Sequence, residues 1–171
     1  GGMASHGGIL GVVLVCWLYA RKHKMSFWHC QDLTVFGGSL GFMFGRIANF
    51  INGELFGREV SSQIPWAVKF PQEMMLWLGR DFSKLSSVAP AVDALANLKL
   101  DSGELLPVNA TLWQSWLDGY MRDGSARSFV HQTIDQIIVA IQSGNDIVRV
   151  ALAPALTARH PSQLYQMFLE G

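Results

Sequence analysis

Apolar residues dominate two stretches near the start of the chain, and mixed sequence follows them. Residues 7–20, GGILGVVLVCWLYA, are nearly all apolar and stop at Arg21-Lys22-His23-Lys24. That run is about two-thirds of the roughly 20 residues a bilayer span needs. Extending it back through Met3, Ala4, Ser5 and His6 lengthens it and puts His6 at membrane depth or near one face. A basic cluster directly after an apolar run marks the cytoplasmic side. A second apolar segment runs from about 33 to 50, with Gly37, Gly41 and Gly45 recurring every fourth residue. Small residues at that spacing predict a helix whose stripe admits a close neighbour in lipid. In an ordinary soluble helix each would cost about 1 kcal/mol without a packing reason.

With a cytoplasmic loop near 21–32, the second helix carries the chain to the opposite side. Residues 53–159 then form a small helical extracytoplasmic head, which includes the polar stretches DSGELLPVN and YMRDGSARS. Helical patterns fall near 113–121 and 129–142. In the second, Val130, Ile134, Ile137, Ile138 and Ile141 follow the three-and-four spacing of an amphipathic helix, and Gly144-Asn145-Asp146 supplies a turn signal. Arg159-His160-Pro161-Ser162 precedes the apolar LYQMFLEG, and proline suits a first helical position. Residues 160–171 are therefore expected to begin a further transmembrane helix. The expected fold is mainly α, a polytopic membrane protein with two to three transmembrane helices in 1–52 and 160–171. Neither end reads as a natural terminus, so the chain is expected to be the middle of a longer protein.

Composition agrees with membrane segments joined to an extramembrane part: 50% of residues are hydrophobic and 15% charged. Zero formal net charge gives no support to a nucleic-acid partner or a polybasic lipid anchor. Cys16 and Cys30 lack metal-ligand spacing and read as unpaired structural thiols. Asn109-Ala110-Thr111 matches a glycosylation sequon, a match frequent by chance. Hydrolase-triad, zinc and nucleotide motifs are absent from the sequence.

The densest polar cluster at an apolar edge is GRIANFINGELFGRE, residues 45–59. If the helix continues through it, Arg46, Asn49 and Gly53 stand at i, i+3 and i+7 on one face. Polar and ionisable groups at membrane depth are expensive and usually face a cavity or a partner. Arginine grips phosphate bidentately, Asn49 suits a glycerol hydroxyl or ester carbonyl, and Gly53 and Gly57 let backbone approach a ligand. A plainer reading stands beside this one. Arg46 snorkels to the interface, Glu54 pairs with Arg58 across one turn, and the glycines cap the helix. His6, followed by Gly7 and Gly8, has the titration range of a general base and room beside it for substrate. His6 also suits a structural role at a helix edge, and His160 before Pro161 has the same two readings.

Three segments together resemble the prolipoprotein diacylglyceryl transferase family: GGMASHGG at 1–8, GRIANFINGELFGR at 45–58 and RHPSQLYQMFLEG at 159–171. They cover about a fifth of the chain. The resemblance implies a transferase of the bacterial cytoplasmic membrane with two substrates, phosphatidylglycerol and a prolipoprotein bearing a lipobox cysteine. It implies release of glycerol 1-phosphate and no metal or organic cofactor. It assigns headgroup contact to Arg46, activity to Asn49, Glu54 and Gly57, and the base to His6. Gly53, His160 and Tyr165 join the substrate-binding candidates. The sequence departs from the family at Gln166, where glutamate often follows the tyrosine, and in a long stretch between Phe70 and Arg159. The family's earlier tyrosine-bearing helices and its later arginine are absent. The alternative is a non-catalytic scaffold or transporter segment that binds anionic phospholipid.

Overall fold

The computed structural model describes residues 5–97 and 108–170, so most of the polar stretch at 101–109 lies outside the described residues. The chain is mainly helical. In order come α1 (Ser5–His23), α2 (Phe27–Ile51), α3 (Glu73–Arg80), a 3-10 helix (Phe82–Val88), α4 (Ala89–Ala96), α5 (Ala110–Gly119), α6 (Gly124–Gln142), α7 (Asp146–Leu152) and α8 (Ser162–Glu170). These fall into two compact units, one of residues 1–49 with 163–171 and the other of residues 50–162.

In the first unit, α1 and α2 form a hairpin. Arg21, Lys22 and His23 occupy the last turn of α1, where cations oppose the negative end of the helix dipole. The turn is closed by Lys24 in a left-handed conformation (φ 54°) and by the Met25 N–H, which donates to the Ala20 carbonyl at 3.0 Å. This is the six-to-one bond of a Schellman end. Cys16 and Ala20 are buried; the Cys16 Sγ lies 3.3 Å from Thr34 Oγ1, which donates to the Cys30 carbonyl. Both thiols are free. Among the described residues no helix is long and apolar enough to cross a membrane. The cause is visible in α2, where Gln31-Asp32 and Arg46 bound the apolar residues 33–45. At 1.5 Å per residue these span only about 20 Å of helix. The glycine stripe of 37, 41 and 45 has open space around it, so the close neighbour that its spacing anticipates is not a described helix of this chain.

The second unit is built around one apolar core. Met74 and Trp77 of α3, Leu85 and Val88 of the 3-10 helix, Ala91, Val92 and Leu95 of α4, and Trp113 and Leu117 of α5 meet Val130, Ile134 and Ile137 of α6. Val148 and Leu152 of α7 close it. Trp113 is fully buried, and its indole N–H donates to the Leu85 carbonyl at 2.9 Å. The spacing that predicted a helix over 129–142 thus belongs to α6, whose buried face carries Val130, Ile134 and Ile137. Short polar side chains set the helix starts. Asn109, Asp123 and Asn145 accept from the Leu112, Ser125 and Val148 N–H groups, each satisfying a donor that the first turn leaves open. For Asn109 this cap explains a residue that the sequon match left ambiguous. Asn145 also closes the preceding helix: its N–H donates to the Ala140 carbonyl, past Gly144 at φ 90°.

Candidate functional site

Helix α2 ends at Ile51, so the signature segment is a helix end followed by a loop, not one continuous face. Arg46 and Asn49 stand in the last turns of α2, half-buried, in the first unit; Gly53, Glu54 and Gly57 belong to the second. Gly53 cannot share a helical face with Arg46, because it turns the chain at φ 63° with its N–H on the Phe50 carbonyl. The helical turn needed to pair Glu54 with Arg58 is likewise not formed.

What the two loop glycines accommodate is the chain itself. A Cβ on Gly53 would run into the Gln72 side-chain amide, and one on Gly57 would overlap the His160 carbonyl. The second contact is backbone on backbone, because residues 58–60 run against 158–160. Val60 N–H donates to the Ala158 carbonyl at 2.9 Å, and His160 N–H to the Arg58 carbonyl at 3.0 Å. Between the glycines, Leu55 adopts φ 55°, a left-handed conformation that costs a non-glycine residue roughly 1–2 kcal/mol. Ser162 Oγ donates to its carbonyl at 3.3 Å.

Arg159 ties this loop to α3. Its Nη2 donates to Glu73 Oε1 at 2.6 Å and to Glu59 Oε1 at 3.2 Å, and its Nη1 donates to the Gly57 carbonyl at 3.2 Å. The guanidinium lies 5.8 Å from the Phe56 ring centroid. Glu73 is 1% exposed, and its second oxygen accepts from the Thr157 N–H at 3.1 Å. Arg159 backbone groups exchange two hydrogen bonds with Val68. Around this knot lies an open cavity of about 630 Å³, lined by Asn52, Glu54, Phe56, Leu76, Arg80 and Arg159 among others. Leu55 lines it as well, so apolar side chains stand beside one acid, Glu54, and two guanidiniums, Arg80 and Arg159.

In the first unit, His6 is exposed near the start of α1. Cys16 faces Thr34, and the α1–α2 groove continues to Gly8 and Phe42. The groove holds about 630 Å³ and is lined chiefly by Ile9, Val12, Val13, Val35 and Phe42. Tyr165 lies on α8, exposed, and His160 is half-buried where the second unit ends. Glu73 and Gln72 were invisible to sequence reasoning. Arg159 was visible as the first residue of RHPSQLY, but no partner for it could be named, since Glu73 is 86 positions away. Among the described residues no cluster of three or more histidine, cysteine or acidic side chains could hold a metal ion.

The model of the family described as prolipoprotein diacylglyceryl transferase matches residues 1–171. The chain belongs to that family. A phosphatidylglycerol–prolipoprotein diacylglyceryl transferase of Bdellovibrio bacteriovorus is 43% identical over 171 residues, all of this chain and 46% of that protein. The enzyme of the same name from Chromobacterium violaceum is 38% identical over 125 residues, 73% of this chain and 41% of its own length. One from Neisseria meningitidis serogroup C is 32% identical over the whole chain and 39% of its own length. The chain therefore spans less than half the length of these curated members of the prolipoprotein diacylglyceryl transferase family. No solved structure matches it.

Proposed function

We propose that this protein takes part in moving the diacylglyceryl group of phosphatidylglycerol onto the lipobox cysteine of prolipoproteins, in the bacterial cytoplasmic membrane. The observation that carries the reading is family membership along all 171 residues, with relatives of that name at 43% identity. Physical features of the first unit support it. Leu10, Val35, Phe36 and Phe42 are more than 60% exposed, together with many neighbours on α1 and α2. Contiguous apolar surface on that scale marks contact with lipid or protein rather than water. The basic cluster Arg21–Lys24 at the end of α1 suits the cytoplasmic face of the membrane in this reading.

The reaction forms a bond from the cysteine sulfur to the glyceryl carbon of the diacylglycerol moiety. It breaks the bond from that carbon to the phosphate oxygen, and glycerol 1-phosphate leaves. Thiolate is the nucleophile, so the thiol proton must go to a base. His6 is the candidate acceptor. Negative charge grows on the departing phosphate, where a fixed cation contributes most, and Arg46 fills that role with Asn49 on the glycerol or ester oxygens. Glu54 stands on the loop that follows, with His160 and Tyr165 as further substrate contacts. No cofactor is required, since phosphate leaves readily once its charge is held.

The test uses the full-length protein in membranes and measures diacylglyceryl transfer to a lipobox peptide. Arg46→Ala and Asn49→Ala are each expected to lower transfer about 100-fold or more, the scale seen when one charge-stabilising group is removed, while the protein stays folded and inserted. Parental transfer in both variants would exclude the assignment and favour a lipid-binding scaffold.

A further inference from the structure

We infer that Glu73 is a positioning residue for the signature loop, acting through Arg159. The inference rests on the transferase reading above. Residues 52–60 contain no helix and only an isolated bridge, so regular secondary structure does not dictate where Asn52 and Glu54 stand. Two consecutive side chains at the start of α3 take over that task. The Gln72 amide packs into the space that Gly53 leaves by having no Cβ. Glu73 holds Arg159, and Arg159 in turn holds the Gly57 carbonyl, Glu59 and the Phe56 ring. Both ends of the segment 53–57 are thus referred to one rigid element.

Between those ends sits Leu55 in its left-handed conformation. A strained residue persists only where its surroundings over-determine it. The carboxylate of Glu73 is almost wholly buried, and its two oxygens serve two different segments, Arg159 and the Thr157 N–H. Removing its charge leaves a largely buried guanidinium with Glu59, 63% exposed, as its remaining carboxylate. The guanidinium then has reason to turn toward water, and it carries the Gly57 carbonyl with it. Displacements near 1 Å at a reacting centre cost about 100-fold in rate. Arg159, Asn52 and Glu54 line one cavity, so such a shift acts directly on the lining of the site. The apolar core of the head is built from other side chains, and exchange in α5 and α6 reports whether it stays folded when the loop is disturbed.

The experiment measures diacylglyceryl transfer and amide hydrogen exchange on the full-length protein. Glu73→Gln is expected to lower kcat about 10- to 100-fold with KM for phosphatidylglycerol within two-fold of the parent, and to speed exchange in 54–60 but not in α5 and α6. Glu73→Asp keeps the charge with a shorter reach and should recover part of the loss; it is also the variant to use if Glu73→Gln does not accumulate. In a Glu54→Gln background, adding Glu73→Gln should change the residual rate less than two-fold, because both act through one loop. Parental kcat in Glu73→Gln, a loss confined to KM, full multiplication of the two effects, or unchanged exchange in 54–60 would each overturn the inference. Failure of the transferase reading looks different: the parent protein itself transfers no lipid, while the exchange measurement still reports on the clamp.

Discussion

Replacing Gly57 by alanine perturbs the point where the loop after α2 meets the segment that returns from the head. The new methyl overlaps the carbonyl oxygen of His160 and crowds its carbonyl carbon and Cβ. Because the obstructing atoms are mostly backbone, no rotamer change relieves the clash, and residues 57–60 must move away from 158–160. Overpacking of this kind costs roughly 1–3 kcal/mol. The separation also stretches the bonds from Val60 N–H to Ala158 and from His160 N–H to Arg58, now 2.9 and 3.0 Å, each contributing about 0.5–1.5 kcal/mol. A total of about 2–6 kcal/mol follows. For a unit of this size that is a fall in Tm of at least about 6 °C. The assay is thermal unfolding of the full-length protein in detergent, paired with hydrogen exchange at Val60 and His160. Gly79→Ala is the control, since Gly79 lies in α3 with open space around it; alanine there should be neutral or stabilise by up to about 1 kcal/mol. A Gly57→Ala protein that melts with the parent and protects both amides equally would show that the close approach is not what the glycine is for.

Two further outcomes test the head. Trp113→Phe removes the indole donor to the Leu85 carbonyl and part of the largest fully buried side chain; chemical denaturation should show a loss of about 1–3 kcal/mol, and unchanged stability would contradict the packing. Asp123 is held below its ordinary value of 3.8, first by the Ser125 hydroxyl and then by the Ser125 N–H. Its folded value lies below its unfolded one, so its contribution is complete above pH 3.8 and fades as pH falls through the folded value. The Tm gap between parent and Asp123→Ala should therefore close on acidification; a gap constant from pH 6 to pH 2 would refute the cap.

Helix α6 was legible because its apolar spacing repeats over many turns, and burial followed that spacing at Val130, Ile134 and Ile137. The end of α2 was not. Arg46, Asn49 and Gly53 fit a helical repeat on paper, yet Gly53 leaves the helix because the chain there must turn at positive φ and admit Gln72. A glycine in a motif reads equally as room for a ligand and room for a neighbour, and only the folded chain tells which. The pairing of Glu73 with Arg159 is hidden for a different reason. Contacts separated by 86 residues leave no local periodicity, and an acid after FPQ carries no signal of burial. The glycine stripe of α2 was legible as a pattern, but the surface that would use it is not supplied by the described helices.

The bonds that join 57–60 to 158–160, with Arg159 and Ser162 beside them, have a mechanical corollary. They sit where the head begins and ends, so they act as a clasp across its two exits. Tension applied between residues 52 and 162 would open this clasp one bond at a time, from Ser162 on Leu55 through His160 on Arg58 to Val60 on Ala158, before any force reached the helices behind it. The stretch in between can then grow or shrink over evolutionary time without altering the gap between the exits.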